Sequence, residues 1–207
     1  VIGYITKSAK NAGWMMINQG AADAAAEEGV NLVSVGPAFQ GDLSSQLEVF
    51  ENLVAQGAAA IAVAPVDSAG IAPAVNDAMG AGIPVVAIDT GVAGAEVTSF
   101  VATDNYAVAK VQGAVAATLI EDGQPIIYVT GNQAQSTGQE RKNGFMEAFA
   151  AARPNSEILL VPTEWNSQEA QEGVEAILNS RQDIVMVANA WDGGTMGAKA
   201  ALENLGY

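Results

Sequence analysis

The sequence predicts an α/β fold of two domains, each built on a parallel sheet. Short apolar runs alternate regularly with segments that repeat apolar residues at helical spacing. Several runs, such as "AAAIAVAP" and "IPVVAID", are apolar almost throughout. That is the pattern of parallel strands covered on both faces. The alternation breaks once, near residues 103 and 104, where "EVTSFVAT" follows "IPVVAID" with no helix between them.

In order, "VIGYIT" reads as a strand and the Ala-rich "NAGWMMINQGAADAAAEEG" as a helix stopped by Gly29. "VNLVSVG" is a second strand. "LSSQLEVFENLVAQG" carries Leu47, Phe50, Leu53 and Val54 at helical spacing and ends at Gly57. "AAAIAVAP" is a third strand, and "DSAGIAPAVNDAMGAG" a helix with Asp67 as its expected cap. "IPVVAID" and "EVTSFVAT" are the fourth and fifth strands. A second series opens with the helix "DNYAVAKVQGAVAATLI", capped by Asp104, and continues through strand "PIIYVTG", helix "STGQERKNGFMEAFAAA", strand "EILLVP", helix "SQEAQEGVEAILNS", strand "DIVMVANA" and helix "GGTMGAKAALENLG". The restart divides the chain into domains 1–103 and 104–207. The second then holds three strands, so the chain reads as cut short before both domains are complete, and no signal peptide precedes Val1.

Composition limits the function. Half of the 207 residues are apolar and 15% are charged, which allows a sizeable core. A net charge of −15 argues against DNA, RNA or an anionic membrane as partner. Histidine and cysteine are absent, which removes disulfides, thiol nucleophiles, Cys/His zinc sites and histidine bases. No apolar run reaches the roughly 18 residues of a membrane span. "GAGIP" lies before a strand and "DGGTMG" lacks the first glycine of a dinucleotide loop, while "GNQAQSTG" lacks the Gly-Lys of a phosphate loop. No cofactor, metal or catalytic constellation is expected, and the chain reads as a non-enzyme.

Ligands of parallel α/β sheets bind outside the carboxyl ends of the strands. The residues there include Lys7, Asn11 and Trp14 after the first strand, Asp89 and Thr90 after the fourth, and Thr103, Asp104 and Asn105 after the fifth. In the second domain they include Asn132, Gln135, Ser136, Arg141, Glu164, Trp165, Asn189, Trp191 and Asp192. All three tryptophans of the chain fall on this rim, where a ring can stack on the C–H face of a sugar or plug the end of a sheet. Lys7, Lys10, Arg141 and Lys142 lie near helix N-termini, an unfavourable place for a cation, and read either as ligand contacts or as solvated charge. No helix follows Asp89 at once, so its carboxylate is free to accept hydrogen bonds from adjacent hydroxyls, with the guanidinium of Arg141 as a complementary donor.

At these residues the chain resembles the type I periplasmic sugar-binding proteins that serve bacterial ABC transporters, the ribose-binding protein group. The likeness is carried by "GVNLVSVGP", "QLEVFENLVAQGAAAIAVAPVDSAGIAPAVNDAMGAGIPVVAIDTG", "VATDN" and "GQERKNGFMEAF" and runs through essentially all 207 residues. The resemblance implies two Rossmann-like domains joined by a hinge, with sugar in the cleft between them. It matches sugar-binding positions of the family to Asn11, Trp14, Asp89, Arg141 and Trp165, and sets "ANAWDGG", with Trp191 and Asp192, where the family has Asn-Asp. "YITK" is similar to a branch in which a lysine near Lys7 touches ligand. Thr90 departs from the family's arginine, Gly13 from its second aromatic and Trp191 from its asparagine. The resemblance further implies a monomer that hands a sugar or sugar-like molecule to an ABC permease, in the periplasm or lipid-anchored outside the cell. The alternative reading is the ligand-sensing domain of a receptor or the core of a LacI-type regulator.

Overall fold

The computed structural model describes residues 1–8, 11–37 and 41–207. Its elements in chain order are β1 (Ile2–Ile5), α1 (Ala12–Glu27), β2 (Leu32–Val35), α2 (Leu43–Ala55), β3 (Ala60–Val63), α3 (Ala72–Gly80), β4 (Val85–Ile88), β5 (Ser99–Val101), α4 (Asn105–Thr118), β6 (Ile126–Thr130), α5 (Ser136–Ala152), β7 (Ile158–Pro162), α6 (Ser167–Ser180), β8 (Met186–Asn189) and α7 (Asp192–Leu205). They form two compact units. Unit 1 comprises Val1–Thr103 with Ala134–Ser136, and unit 2 comprises Asp104–Gln133 with Thr137–Tyr207.

Unit 1 holds a five-stranded parallel sheet in the order β2-β1-β3-β4-β5. The order reverses at β1, which pairs with both β2 and β3, and the crevice of a doubly wound sheet opens at such a point. One face of the sheet packs Ile5, Ile61, Val63 and Val85 against Phe50 and Leu53 of α2 and Val75 of α3. Each such side chain contributes roughly 1.5–3 kcal/mol on burial. Helix α2 can do this because Gln46, Phe50 and Leu53 share one buried stripe, its Asp42 cap accepts from the Ser45 amide at 3.0 Å, and Gly57 (φ +73°) turns the chain out of it. On the other face Tyr4, Ala62, Val86 and Ile88 are half-buried and Val101 is exposed. Trp14 and Ile17 of α1 line a cavity there. The structure corrects the reading of Asp67 as a helix cap. Its Oδ1 accepts from the amides of Ala69 and Gly70, at 2.9 and 2.8 Å, and so closes a turn. Helix α3 starts later, at Ala72, with proline in its first turn.

Unit 2 has a three-stranded parallel sheet, β7-β6-β8, with every residue of the central β6 buried. Tyr128 stacks on Phe145 with ring centroids 3.9 Å apart, and Phe145 on Phe149, beneath α4 and α5. The two helices come into backbone contact because Gly113 has no side chain: a Cβ there would lie 2.4 Å from the Phe145 carbonyl oxygen. Helices α6 and α7 cover the opposite face, packing Val174, Leu178 and Ala201 on Ile127 and Val129 of β6. Asp104 caps α4 by accepting from the Ala107 amide at 2.9 Å. Among the described residues no helix is long and apolar enough to cross a membrane.

Candidate functional site

The carboxyl edge of the unit 1 sheet is filled by polar side chains that hold one another. Gln46, fully buried, donates through Nε2 to the Ala64 carbonyl at 2.9 Å and accepts at Oε1 from the Val66 amide at 2.9 Å. It thereby stitches α2 to the end of β3, beside the switch point. Lys7, just past β1 and only 3% exposed, extends its ammonium across the same edge. Nζ donates to Asp89 Oδ2 at 2.7 Å, to Gln135 Oε1 at 2.8 Å and to Thr90 Oγ1. A lysine this buried needs such partners, because desolvation of the charge costs several kcal/mol otherwise.

Asp89 is the open member of this set. Its side chain is 35% exposed. Oδ2 is occupied by Lys7 and by the Thr90 hydroxyl at 3.0 Å, whereas Oδ1 has no hydrogen-bond partner among the described residues. Asp89 also lines a cavity of about 300 Å³ with Tyr4, Trp14, Ile17, Ile88, Val101, Ala102 and Thr103. Trp14 is nearly buried, and Asn11 fixes the start of its helix by accepting from the amides of Gly13 and Trp14 at 2.9 and 3.3 Å. Backbone geometry marks one residue in each unit. Asp89 (φ +61°) and Trp165 (φ +59°) are the non-glycine residues of the described chain in the left-handed region. Aspartate tolerates that conformation; for tryptophan it is strained by roughly 1–3 kcal/mol, a feature that clusters at ligand clamps.

In unit 2 the corresponding edge is aromatic and cationic. Trp165 and Trp191 meet edge to face, 5.3 Å between centroids at 85°. Glycines seat both rings: a Cβ on Gly131 would lie 2.1 Å from the Trp165 ring, and one on Gly194 would lie 2.8 Å from the ring of Trp191. The Arg141 guanidinium lies over Trp165, 5.5 Å from its centroid. Its Nε donates to Asn105 Oδ1 at 2.9 Å and Nη1 to the Ala190 carbonyl at 3.0 Å, which leaves Nη2 without a hydrogen bond to a described residue. Asn132 donates to Glu164, whose carboxyl is held above the ordinary glutamate range by burial and then by the charge of Glu169. Asp192, exposed, opens α7 and accepts from the Gly193 amide at 2.9 Å.

The structure thus brings Lys7, Trp14, Asp89 and Thr103 together in unit 1, and Arg141, Trp165 and Trp191 in unit 2. Within unit 1 the cation beside Asp89 is Lys7. Within unit 2 Arg141 is held by Asn105, Ala190 and Trp165. Lys7 is buried, which ends the solvated-charge reading for it; Lys10 lies outside the described residues. Sequence reasoning placed Gln135, Thr90 and Asn105 on the rim without assigning them ligand contacts, and it missed Gln46. Gln46 carried a signal, since it occupies a position of the apolar stripe of α2. The arrangement offers an acceptor, a donor and stacking surfaces. No cluster of acidic side chains among the described residues could hold a metal ion.

A family model described as periplasmic binding protein domain matches residues 2–207. The chain belongs to this periplasmic binding protein family. Among its relatives, the D-allose-binding periplasmic protein of Escherichia coli is 30% identical over 98% of this chain and 68% of its own length. The D-ribose/D-allose-binding protein of Pseudomonas aeruginosa is 28% identical over 99% of this chain and 66% of its own. The chain therefore spans about two thirds of these relatives' length. Solved family structures superpose closely. A periplasmic solute-binding protein of an ABC transporter from Actinobacillus succinogenes, with bound D-allose, has a TM-score of 0.87 at 25% identity, covering 99% of this chain and 74% of that one. A solute-binding protein from Burkholderia multivorans reaches 0.91 at 25% identity, over 99% and 75%. The resemblance read from "AVAPVDS", "GIPVVAID" and "TDN" and the parallel α/β fold class are borne out.

Proposed function

We propose that this chain captures a sugar, or a sugar-like polyol, for an ABC importer in the periplasm, and that it binds without chemistry. The observation that carries the reading is the carboxylate of Asp89, with one oxygen pinned by Lys7 and Thr90 and the other without a hydrogen-bond partner among the described residues, beside a cavity that Trp14 also lines. A fixed acceptor next to an aromatic surface suits a hydroxyl on a ring with an apolar face. The Lys7–Asp89 pair is neutral as a unit, which suits an uncharged ligand. In unit 2 Arg141 donates through its remaining guanidinium nitrogen, and Trp165 and Trp191 supply stacking surfaces. Asn11, Thr103 and Asp192 are further proposed contacts. The relatives' names, which mention D-allose and D-ribose, support the ligand class and the periplasmic location. A lipid-anchored extracellular form and a monomeric state belong to the same proposal.

A thermal-shift panel of aldopentoses, aldohexoses, nucleosides and amino acids tests it. A sugar at 100 times its Kd is expected to add about 2.7 kcal/mol, which raises Tm by roughly 5–10 °C in a chain of this size. The same sugar is expected to alter tryptophan emission. A panel in which only amino acids or nucleosides raise Tm would overturn the reading.

A further inference from the structure

Gln135 lies in the tripeptide Ala134–Ser136, which packs as part of unit 1 although its sequence neighbours on both sides belong to unit 2. The backbone around it is clamped on either side. The Ala134 carbonyl accepts from the Ser68 amide at 3.0 Å, and the Ser136 amide donates to Ser68 Oγ at 3.0 Å. Ser136 Oγ in turn accepts from the Gly91 amide at 2.9 Å, two residues beyond Asp89. With its two neighbours fixed on Ser68, residue 135 directs its side chain into the switch-point crevice, and it is fully buried there.

An amide has one acceptor and one donor end, and this crevice uses both. Gln135 Nε2 donates to the Val66 carbonyl at 3.0 Å, which fixes which end of the amide faces the other way. Oε1 then accepts from Lys7 Nζ at 2.8 Å. A carboxylate in that place would give Lys7 a second anion to bind, in competition with Asp89. An apolar residue would leave the ammonium poorly solvated and free to swing over both oxygens of Asp89. The neutral amide gives the cation a third point of support without drawing it away from Asp89.

We infer that Gln135 is a positioning residue of the unit 1 site. It holds the Lys7 ammonium against Asp89 Oδ2 and Thr90, and so keeps Oδ1 open as the acceptor for a ligand hydroxyl. The inference rests on the proposed function for its consequence in binding. The geometry of Lys7 can be read with no ligand present.

The experiment is ¹⁵N spectroscopy of the lysine ammonium groups in the whole protein, which resolves Lys7 among five lysines. In the wild type the Lys7 ammonium is expected to exchange its protons slowly. Gln135→Leu keeps apolar bulk but removes the acceptor, and is expected to speed that exchange at least roughly ten-fold. Gln135→Glu keeps an oxygen in place and is expected to restore slow exchange, which a purely space-filling role does not predict. Wild-type exchange in Gln135→Leu, or fast exchange in Gln135→Glu, overturns the inference. If Gln135→Leu does not fold, Gln135→Met, which keeps an unbranched side chain of similar length and removes the acceptor, takes its place with the same expected result. Titration of Asp89→Asn with D-allose separates the two claims. A loss of binding there together with wild-type Lys7 exchange in Gln135→Leu overturns the role of Gln135 and leaves the sugar site standing. Protected Lys7 signals that depend on Gln135, with unchanged D-allose binding in Asp89→Asn, overturn the sugar site instead.

Discussion

Replacing Lys7 with methionine is expected to destabilise the protein by about 3 kcal/mol. Methionine keeps most of the unbranched stem, so little apolar packing is lost and the change isolates the charge. What disappears is the common donor of Asp89 Oδ2, Gln135 Oε1 and Thr90 Oγ1. Removing one member of a buried pair typically costs about 3–5 kcal/mol, because the other is left uncompensated. Asp89 is a third exposed and can recover some hydration, which sets the expectation at the lower end. Gln135 is fully buried and cannot. In a chain of this size the Tm is expected to fall by roughly 6–12 °C. Urea unfolding of the two proteins checks it, and a loss below about 1 kcal/mol would mean that the Lys7 contacts are as weak as those of a surface pair.

Arg141→Ala is the second large effect, in unit 2. The substitution removes two charge-assisted hydrogen bonds, to Asn105 Oδ1 and the Ala190 carbonyl, and uncovers the Trp165 ring. Bonds of this kind are worth about 1.5–3 kcal/mol each, and the stacked cation about 0.5–1 kcal/mol more. Arg141 is only half-buried and water replaces part of the loss, so the expected cost is about 2–3 kcal/mol. Arg141→Lys is expected to recover less than half of it. An ammonium cannot reach both acceptors in the planar, divergent directions of Nε and Nη1 while stacking on the indole. Thermal unfolding of the two variants measures this, and complete rescue by lysine would show that charge alone, not the guanidinium geometry, matters at this position.

The α/β layout was legible because the local signals agreed: apolar runs, helical spacing and glycine stops all pointed to the same elements. Asp67 was misplaced because an aspartate before a helical pattern has the same local chemistry whether it caps a helix or a turn, and Pro73 sets the later start of α3. The edge of the sheets was legible as the place of Lys7, Asp89, Arg141 and the tryptophans, since strand ends can be read from sequence. Pairing across that edge could not be read. Lys7 and Asp89 are 82 positions apart, and nothing local says that the lysine turns inward to them. Gln135 was legible as a rim residue but not as a positioning one, because that role depends on two clamps to Ser68, 66 residues earlier than Ala134.

The central claim is that Asp89 offers an open oxygen to a sugar hydroxyl, and calorimetric titration of Asp89→Asn with the tightest-binding aldose of the panel tests it most directly. Lys7 holds the asparagine oxygen inward, so the amide turns its NH₂ toward the ligand where the carboxylate had an acceptor. Loss of one charged hydrogen bond of about 1.5–3 kcal/mol corresponds to roughly 10- to 150-fold weaker binding. A loss of that order is expected in a protein that still folds. Wild-type affinity in a folded Asp89→Asn protein would contradict it, and the acid at the end of β4 would then serve Lys7 alone.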